Sequence, residues 1–441
     1  MGKVLEKYFH LHDNKTDIKT EIIAGITTFM TMAYILALNP GFLSEAGMDW
    51  NKVFSATAIS SAVACFVMGL YAKLPFGLAP GIGLGAFFTY TVCIGMGHTW
   101  RFALTAILFE GIVFLILSAF KVREAIVESI PMSLKKSIGV GIGLFVAFIG
   151  LKNGGIVVAD ETNAVALNPD WMKGVPMLAI VGCLITAFLV AMKVKGALLI
   201  GMIVTTVIGI PMGVTTYAGG DFLPGAPYFF EFAFDEITAS SSALFDFFLV
   251  AFVFLFDDMF NTVGTLVGCA EAADMIREDG TIPNCGRALM ADAVGTTFGS
   301  MVGTTTVTTY VESSAGISAG GRTGLTAITT GMMFLFSLFL SPVFASIPGA
   351  ATAPALIIVG VMMIKPITTI DFSSDMTEAI PSFMTIIMMV CTSSIPNGIM
   401  FGVFFYVILK VLTGKIRKIS PALWVVFVMF ILNVAAVYFS K

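Results

Sequence analysis

Charge is scarce in this chain. Only 12% of its 441 residues are Asp, Glu, Lys or Arg, against 57% hydrophobic, and the mean hydropathy is +0.94. A soluble domain is about one-quarter charged, so a soluble globular protein is excluded. Histidine is scarcer still. His10, His12 and His98 form no H-x-x-x-H pair, which removes the commonest metal-site and intramembrane metalloprotease readings. The six cysteines, Cys65, Cys93, Cys183, Cys269, Cys285 and Cys391, show no C-x-x-C spacing and read as small core residues. The amino end, MGKVLEKYFHLHDNKTDIKTE, lacks the apolar core and cleavage site of a signal peptide, so the first span is expected to stay in the mature protein. No cofactor, metal or nucleic-acid partner is expected.

What is abundant is apolar chain. Runs long enough to cross a bilayer need about 17–25 residues. They recur at about 21–40, 52–72, 75–96, 100–120, 131–151, 175–193 and 195–213, numbered here as spans 1 to 7. After a more polar connection they resume as spans 8 to 14, at about 244–268, 286–303, 304–320, 323–344, 352–370, 380–395 and 398–413. A last apolar stretch, 421–439, reads either as a fifteenth span or as a segment lying along the membrane surface. Basic residues support the count. With the amino terminus inside, nineteen of the 24 lysines and arginines fall on the inner side, among them Lys121, Arg123 and Arg277. Only Lys52, Arg101, Lys152 and Lys173 fall outside, a strong positive-inside bias. The connection 214–243 has no Lys or Arg and suits an outer loop. The expected fold class is an all-α polytopic membrane protein, multi-pass in the cell membrane, with a cytoplasmic amino terminus.

Seven spans precede that connection and seven follow it. FALTAILFEGIVFLILSAF (102–120) resembles TGLTAITTGMMFLFSLFLS (323–341), and each is followed by Ser-Ile-Pro, at 129–131 and 346–348. VKGALLIGMIV (194–204) parallels PNGIMFGVFFY (396–406), with similar glycine spacing. An odd number of spans per repeat inserts the second copy upside down, the inverted-repeat architecture of secondary transporters. Spans 3 and 10 hold matching places in the two halves, and both break helical rules. Span 3 carries Pro80 and glycines at 81, 83 and 85; span 10 carries Thr304, Thr305, Thr306, Thr308 and Thr309. Glycine weakens a helix by about 1 kcal/mol, proline removes a donor, and β-branched threonines favour extended backbone. Each segment is expected to be a short strand followed by a half-helix. Non-helical backbone in a bilayer must be paired or face a polar cavity, so the polar stretch GTTTVTTYVESSAG should line a solute site.

Carboxylates inside spans are costly and usually functional. The candidates are Glu110, Asp246, Asp257, Asp258, Asp292 and Glu312. Glu312 directly follows the broken strand. On a helical span 8, Asp258, Asn261, Thr262 and Thr265 share one face at i, i+3, i+4 and i+7, and that stripe is expected to face the same pocket as Glu312. Asp257, about 100° round the helix, is left to packing or to contact with span 1. Asp246 lies near an outer end and reads as solvated. Two carboxylates, free backbone and the aromatics Phe87, Phe88 and Tyr310 suit a flat, uncharged molecule with ring N–H donors.

These segments resemble the nucleobase–cation symporter-2 superfamily, the nucleobase–ascorbate transporters, and most closely its adenine–guanine–hypoxanthine permease branch. The resemblance runs from about residue 18 to residue 420. It rests on AGITTFMTMAYILALNP, APGIGLGAFFTYTV, DDMFNTVGTLVG, TTTVTTYVESSAGI and EAIPSFMTIIMM together. It implies a seven-plus-seven inverted repeat. A core domain would comprise spans 1–4 and 8–11, at 21–120 and 244–344. A gate domain would comprise spans 5–7 and 12–14, at 121–213 and 345–413. It also implies a purine base bound between core and gate, proton (less often sodium) symport, and in many members a homodimer. The acids of spans 8 and 10 map onto Asp258 and Glu312, which are also the proton-coupling candidates. Base-contacting backbone maps near Gly85, Ala86 and Phe87 and near Tyr310 and Val311, with Asn261, Thr309 and Ser313 completing the expected binding set. Two positions depart from the branch. Gly83-Leu84-Gly85-Ala86 stands where Gly-Leu-Asn-Ala is common, and Asp258-Met259-Phe260-Asn261-Thr262 where Asp-x-Phe-Asp-Thr is common.

The resulting expectation is a purine-base permease for hypoxanthine, guanine, xanthine or adenine. Another planar solute, such as uracil or urate, is the alternative, and a channel a more distant one. An enzyme would need a nucleophile–base pair or a metal cluster, and the sequence has neither.

Overall fold

The computed structural model describes residues 6–431 apart from 7, 120–130, 161–163, 218, 220–224, 273–274, 276–281, 422, 425–426 and 429–430. Lys121, Arg123, Arg277 and most of the 421–439 segment therefore lie outside the described residues.

The chain enters the bundle through an N-cap. The Asp17 carboxylate accepts from the Thr20 amide at 2.9 Å and starts α1, Ile18–Met32. The helix breaks at Ala33 and Tyr34 and resumes as α2, Ile35–Glu45, which contains Pro40. A second cap, Asp49 on Lys52 at 2.9 Å, opens α3, Trp50–Val67, which continues into π-helical turns over Met68–Ala72. Then come a three-residue strand β1, Leu78–Pro80, a short helix α4, Ile82–Ala86, and π-helical turns over Phe87–Gly95. Long helices follow at Trp100–Ala119 (α5) and Met132–Asn153 (α6). A hairpin of β2, Val157–Asp160, and β3, Ala164–Leu167, leads to α7, Gly174–Ala191, and α8, Ala197–Gly209.

The second half begins with α9, Phe234–Thr238, and α10, Ser241–Ala272, at 32 residues the longest described helix. It continues through α11, Cys285–Val302, β4, Val307–Thr309, and α12, Ser313–Ser318. Five further helices close it: α13, Gly324–Ser337, α14, Ser341–Ala345, α15, Gly349–Met363, α16, Met376–Cys391, and α17, Ile395–Leu412. Seven helical segments among the described residues are long and apolar enough to cross a membrane, and four shorter apolar helices accompany them.

Packing sorts these helices into two groups. In the first, α5 lies on α10 and α11, α13 on α1 and α3, and α12 on α1. In the second, α6 lies on α15 and α16, α7 on α8 and α15, and α16 on α17. The groups meet where α4 touches α6 and where α1 touches α8. Within each group the backbones approach closely through glycine. A Cβ added at Gly324 would sit 2.0 Å from the Gly69 carbonyl oxygen, and one added at Gly360 would sit 2.5 Å from that of Gly143. Such contacts replace the hydrophobic drive that is missing between helices in lipid. The paired segments VKGALLIGMIV and PNGIMFGVFFY use glycine alike: Gly201 packs against Thr186, and Gly402 against Thr385. Outward positions stay apolar, as at Leu184, Phe188, Val207 and Phe336. In the second group a fully buried Lys410 is neutralised by Glu378 at 2.6 Å and also donates to Thr377 at 2.7 Å.

These approaches set a testable cost. Gly324→Leu should destabilise the detergent-purified protein by about 1–3 kcal/mol or more through overpacking. Gly139, with no atom within 4 Å of a built Cβ, should accept alanine with no loss. Equal melting temperatures for the two variants would contradict the assignment of Gly324 to a close backbone contact.

Candidate functional site

The site is built around a strand crossing. β1 and β4 pair antiparallel, with Leu78 opposite Thr309, Ala79 opposite Thr308 and Pro80 opposite Val307. The pairing continues past both ends, since the Gly81 amide donates to the Thr306 carbonyl and the Tyr310 amide to the Gly77 carbonyl, each at 3.0 Å. Pro80 has no N–H to lose here, and the threonines suit extended backbone. Side chains lock the crossing. The Tyr310 hydroxyl donates to the Pro80 carbonyl. Ser313 accepts from the Gly77 amide at 2.9 Å and donates to the Tyr310 carbonyl at 2.7 Å. Every residue of both strands is buried. Each strand feeds directly into a short helix, α4 or α12, so two helix starts lie beside one crossing.

One group of acids lies against threonines in and just before β4. Thr306 donates to Glu110 of α5 at 2.7 Å. Thr262 of α10 lies 3.1 Å from an Asp258 oxygen, 2.9 Å from an Asp292 oxygen and 2.7 Å from the Thr308 hydroxyl. Glu110, Asp258 and Asp292 are fully buried. A hydroxyl has one proton to give, and an ionised carboxylate can only accept. Thr262 therefore bonds both carboxyls only if one of them is itself a donor. Asp292, left open between structural and functional roles by the sequence, thus joins Asp258 in one network, and Glu110, left open likewise, lies beside it on Thr306.

Glu312 belongs to a second group. It is half-buried at the N-cap of α12 and accepts from the Tyr34 hydroxyl at 2.6 Å. Its neighbour Val311 is 53% exposed, the open edge of an otherwise closed crossing. Tyr34 was not among the expected site residues. It stands at the break between α1 and α2, and that break, in MAYILALNP, has no strong sequence signal other than Pro40. Asn39 of α2 was missed as well. It is buried and donates to Thr57 and Thr304, each at 2.8 Å, tying span 2 to the start of the broken segment.

The remaining expected residues divide. Ala86 and Phe87 are fully buried, and Phe87 packs edge-on against Phe254 with ring centroids 4.8 Å apart. Phe88 is buried too. The direction a side chain would take from Gly85 leads to Phe42 at 3.3 Å and to the side-chain amide oxygen of Asn39 at 3.4 Å. Thr309 is buried, and its hydroxyl has no partner among the described residues. The stripe expected on α10 separates into two. Asp258, Thr262 and Cys269 are buried toward the strands, Cys269 lying 3.7 Å from the Tyr310 carbonyl oxygen. Asn261 and Thr265 are half-buried and lie on the adjoining face.

A short strand pair inside a bundle of apolar helices, ringed by buried acids and two helix starts, is the site of a membrane transporter and not of an enzyme. The model of the Permease family (Xan_ur_permease) matches residues 19–401, and the chain belongs to that family. Within the nucleobase–cation symporter-2 superfamily it falls in the branch of the adenine and guanine/hypoxanthine permeases. It is 46% identical over 434 residues to the putative permease MJ0326 of Methanocaldococcus jannaschii, covering 98% of both chains. It is 42% identical to the guanine/hypoxanthine permease PbuO of Bacillus subtilis, over 96% of this chain and 99% of that one. It is 39% identical to the adenine permease AdeP of Escherichia coli, over 98% and 96%. Among solved structures it resembles the transmembrane domain of the cyanobacterial bicarbonate transporter BicA, with TM-score 0.66 and 15% identity over 86% of this chain and 97% of that one. It also resembles SLC26A9, with TM-score 0.64 and 11% identity over 93% and 66%. These two likenesses define the fold alone.

The shared donor can be tested without a substrate. Thr262→Val keeps the shape and removes the hydroxyl that Asp258, Asp292 and Thr308 share, at a cost of about 1–3 kcal/mol. Thr309→Val, which removes a hydroxyl without a partner, should leave the melting temperature unchanged or raise it. A Thr262→Val protein that melts with the wild type would remove Thr262 from the network.

Proposed function

We propose that this chain is a secondary active transporter that carries a purine nucleobase across the cell membrane by alternating access, with a proton as the coupling ion. The observation that carries this reading is Glu312, a half-buried carboxylate held by Tyr34 at the exit of the strand crossing, beside exposed Val311. A carboxylate there can accept from the ring N–H of a flat, neutral base. The names of the relatives support the ligand class. The buried Asp258 and Asp292 favour a proton over sodium, because the bonds around Thr262 call for a carboxyl that donates. In this reading the fourteen spans form two inverted repeats, with the strands in spans 3 and 10. The helix group around the strands acts as the core, and the group of α6, α7, α8 and α15–α17 as the gate. A second copy of the chain completes a dimer, and the amino terminus faces the cytoplasm.

Uptake of labelled hypoxanthine, guanine, adenine and uracil into cells lacking their own permeases tests this. Saturable purine uptake that collapses with the pH gradient is expected; uptake that needs sodium and ignores the gradient would overturn proton coupling. Glu312→Gln and Asp258→Asn should each cut uptake about tenfold to a hundredfold while the protein remains folded, since a bond to a charged group contributes about 1.5–3 kcal/mol. Near-normal uptake in both would remove them from the mechanism.

The relatives' names divide between adenine and guanine/hypoxanthine, so identity alone leaves the base open. Asn261 favours an oxopurine. An amide both donates and accepts, whereas an ionised aspartate only accepts, and a ring carbonyl needs a donor. Hypoxanthine, guanine and xanthine carry that carbonyl; adenine does not. Unlabelled adenine should therefore compete with labelled hypoxanthine about fivefold to a hundredfold less well than guanine does, and Asn261→Asp should narrow the gap. Equal competition in the wild type would refute the preference.

A further inference from the structure

Asp257 has the setting of a ligand contact. It is 6% exposed, nine-tenths buried. Among the described residues no hydrogen bond or ion pair reaches its carboxylate, and the charge closest to it in effect is another acid, Asp258. Asp258 is different: one residue further on, it turns to the strands and meets Thr262 at 3.1 Å. Its carboxylate keeps a little accessible surface, so an arriving N–H donor can reach it and add a charge-assisted bond that the fold itself does not supply.

The position of Asp257 is as telling as its lack of a partner. A Cβ built on Gly83 would lie 3.8 Å from an Asp257 oxygen and 2.8 Å from a methyl of Ile142. Gly83 belongs to α4 of the first helix group and Ile142 to α6 of the second. Asp257 thus lies at the seam where the two groups meet, beside the close approach of Gly83 to Ile142. Asn261 and Thr265 follow on the same face of α10, both half-buried. One helical turn separates Asp257 from Asn261 by about 6 Å along the axis, comparable to the long dimension of a fused two-ring base. An acceptor at one end and an amide at the other can hold two edges of such a ring.

The geometry points to Asp257 as a ligand-binding acid: it accepts from an N–H donor of the transported base at the seam between the helix groups, with Asn261 bonding a second edge of the same ring. This rests on the nucleobase reading above.

Binding of hypoxanthine and guanine to the purified full-length protein in nanodiscs tests the assignment, with monodisperse elution as the folding check. Asp257→Asn should weaken binding at least tenfold. Moving the carboxylate one turn along the same face, in Asp257→Asn/Asn261→Asp, should recover part of that loss. If the asparagine variant does not fold, Asp257→Glu serves instead, and its longer side chain should weaken binding severalfold. Folded variants that bind within twofold of the wild type, or a double variant no better than Asp257→Asn, would overturn the role of Asp257. Wild type that binds no purine would instead overturn the nucleobase reading, and this inference with it.

Discussion

Every backbone N–H and C=O in a bilayer must find a partner within the protein, and the antiparallel pairing of β1 with β4 is where this chain meets that demand without a helix. The pairing joins residues more than 220 positions apart in sequence, from Leu78–Thr309 to Pro80–Val307. Without it, Gly77, Gly81, Thr306 and Tyr310 would expose unpaired groups in an apolar surrounding. With it, two helices begin beside one crossing, and Glu312 comes to the end of a strand instead of the middle of a span.

The crossing also organises the acids. Thr306, just before β4, and Thr308 within it point to the same side of the extended backbone, where they meet Glu110 and Thr262. Through Thr262, two aspartates from different helices share one hydroxyl. A change in protonation there alters which groups can donate, and β4 feels the change directly because its own threonines are in the network. Glu312 lies on the same strand's continuation. In the proposed function, a proton on one side and a ligand on the other would act on a single three-residue element.

Around this centre the two helix groups are held differently. Within each, glycine lets backbones touch, as at Gly69–Gly324 and Gly143–Gly360. Between them the contacts are fewer and involve small pieces such as α4 against α6. Tight packing inside and sparse packing between is what relative motion of two bodies requires, because dense interiors do not deform gradually.

The sequence by itself determined the membrane class and located both breaks, because hydropathy and backbone preference are local properties. Pro80, the alternating glycines and the run of threonines act on their own few residues wherever they lie. It also singled out Glu312 and Asp258, since acids in apolar runs stand out by composition. Only the tertiary structure decided how α10 is rotated, and with it that Asp258 faces the strands while Asp257 lies at the seam. A rotation of about 100° separates adjacent residues on a helix, and no local preference fixes it; the neighbours that pack against each face do. Tyr34 on Glu312, and Asn39 in the path of a side chain at Gly85, were illegible for the same reason: each contact joins segments whose meeting depends on the whole bundle.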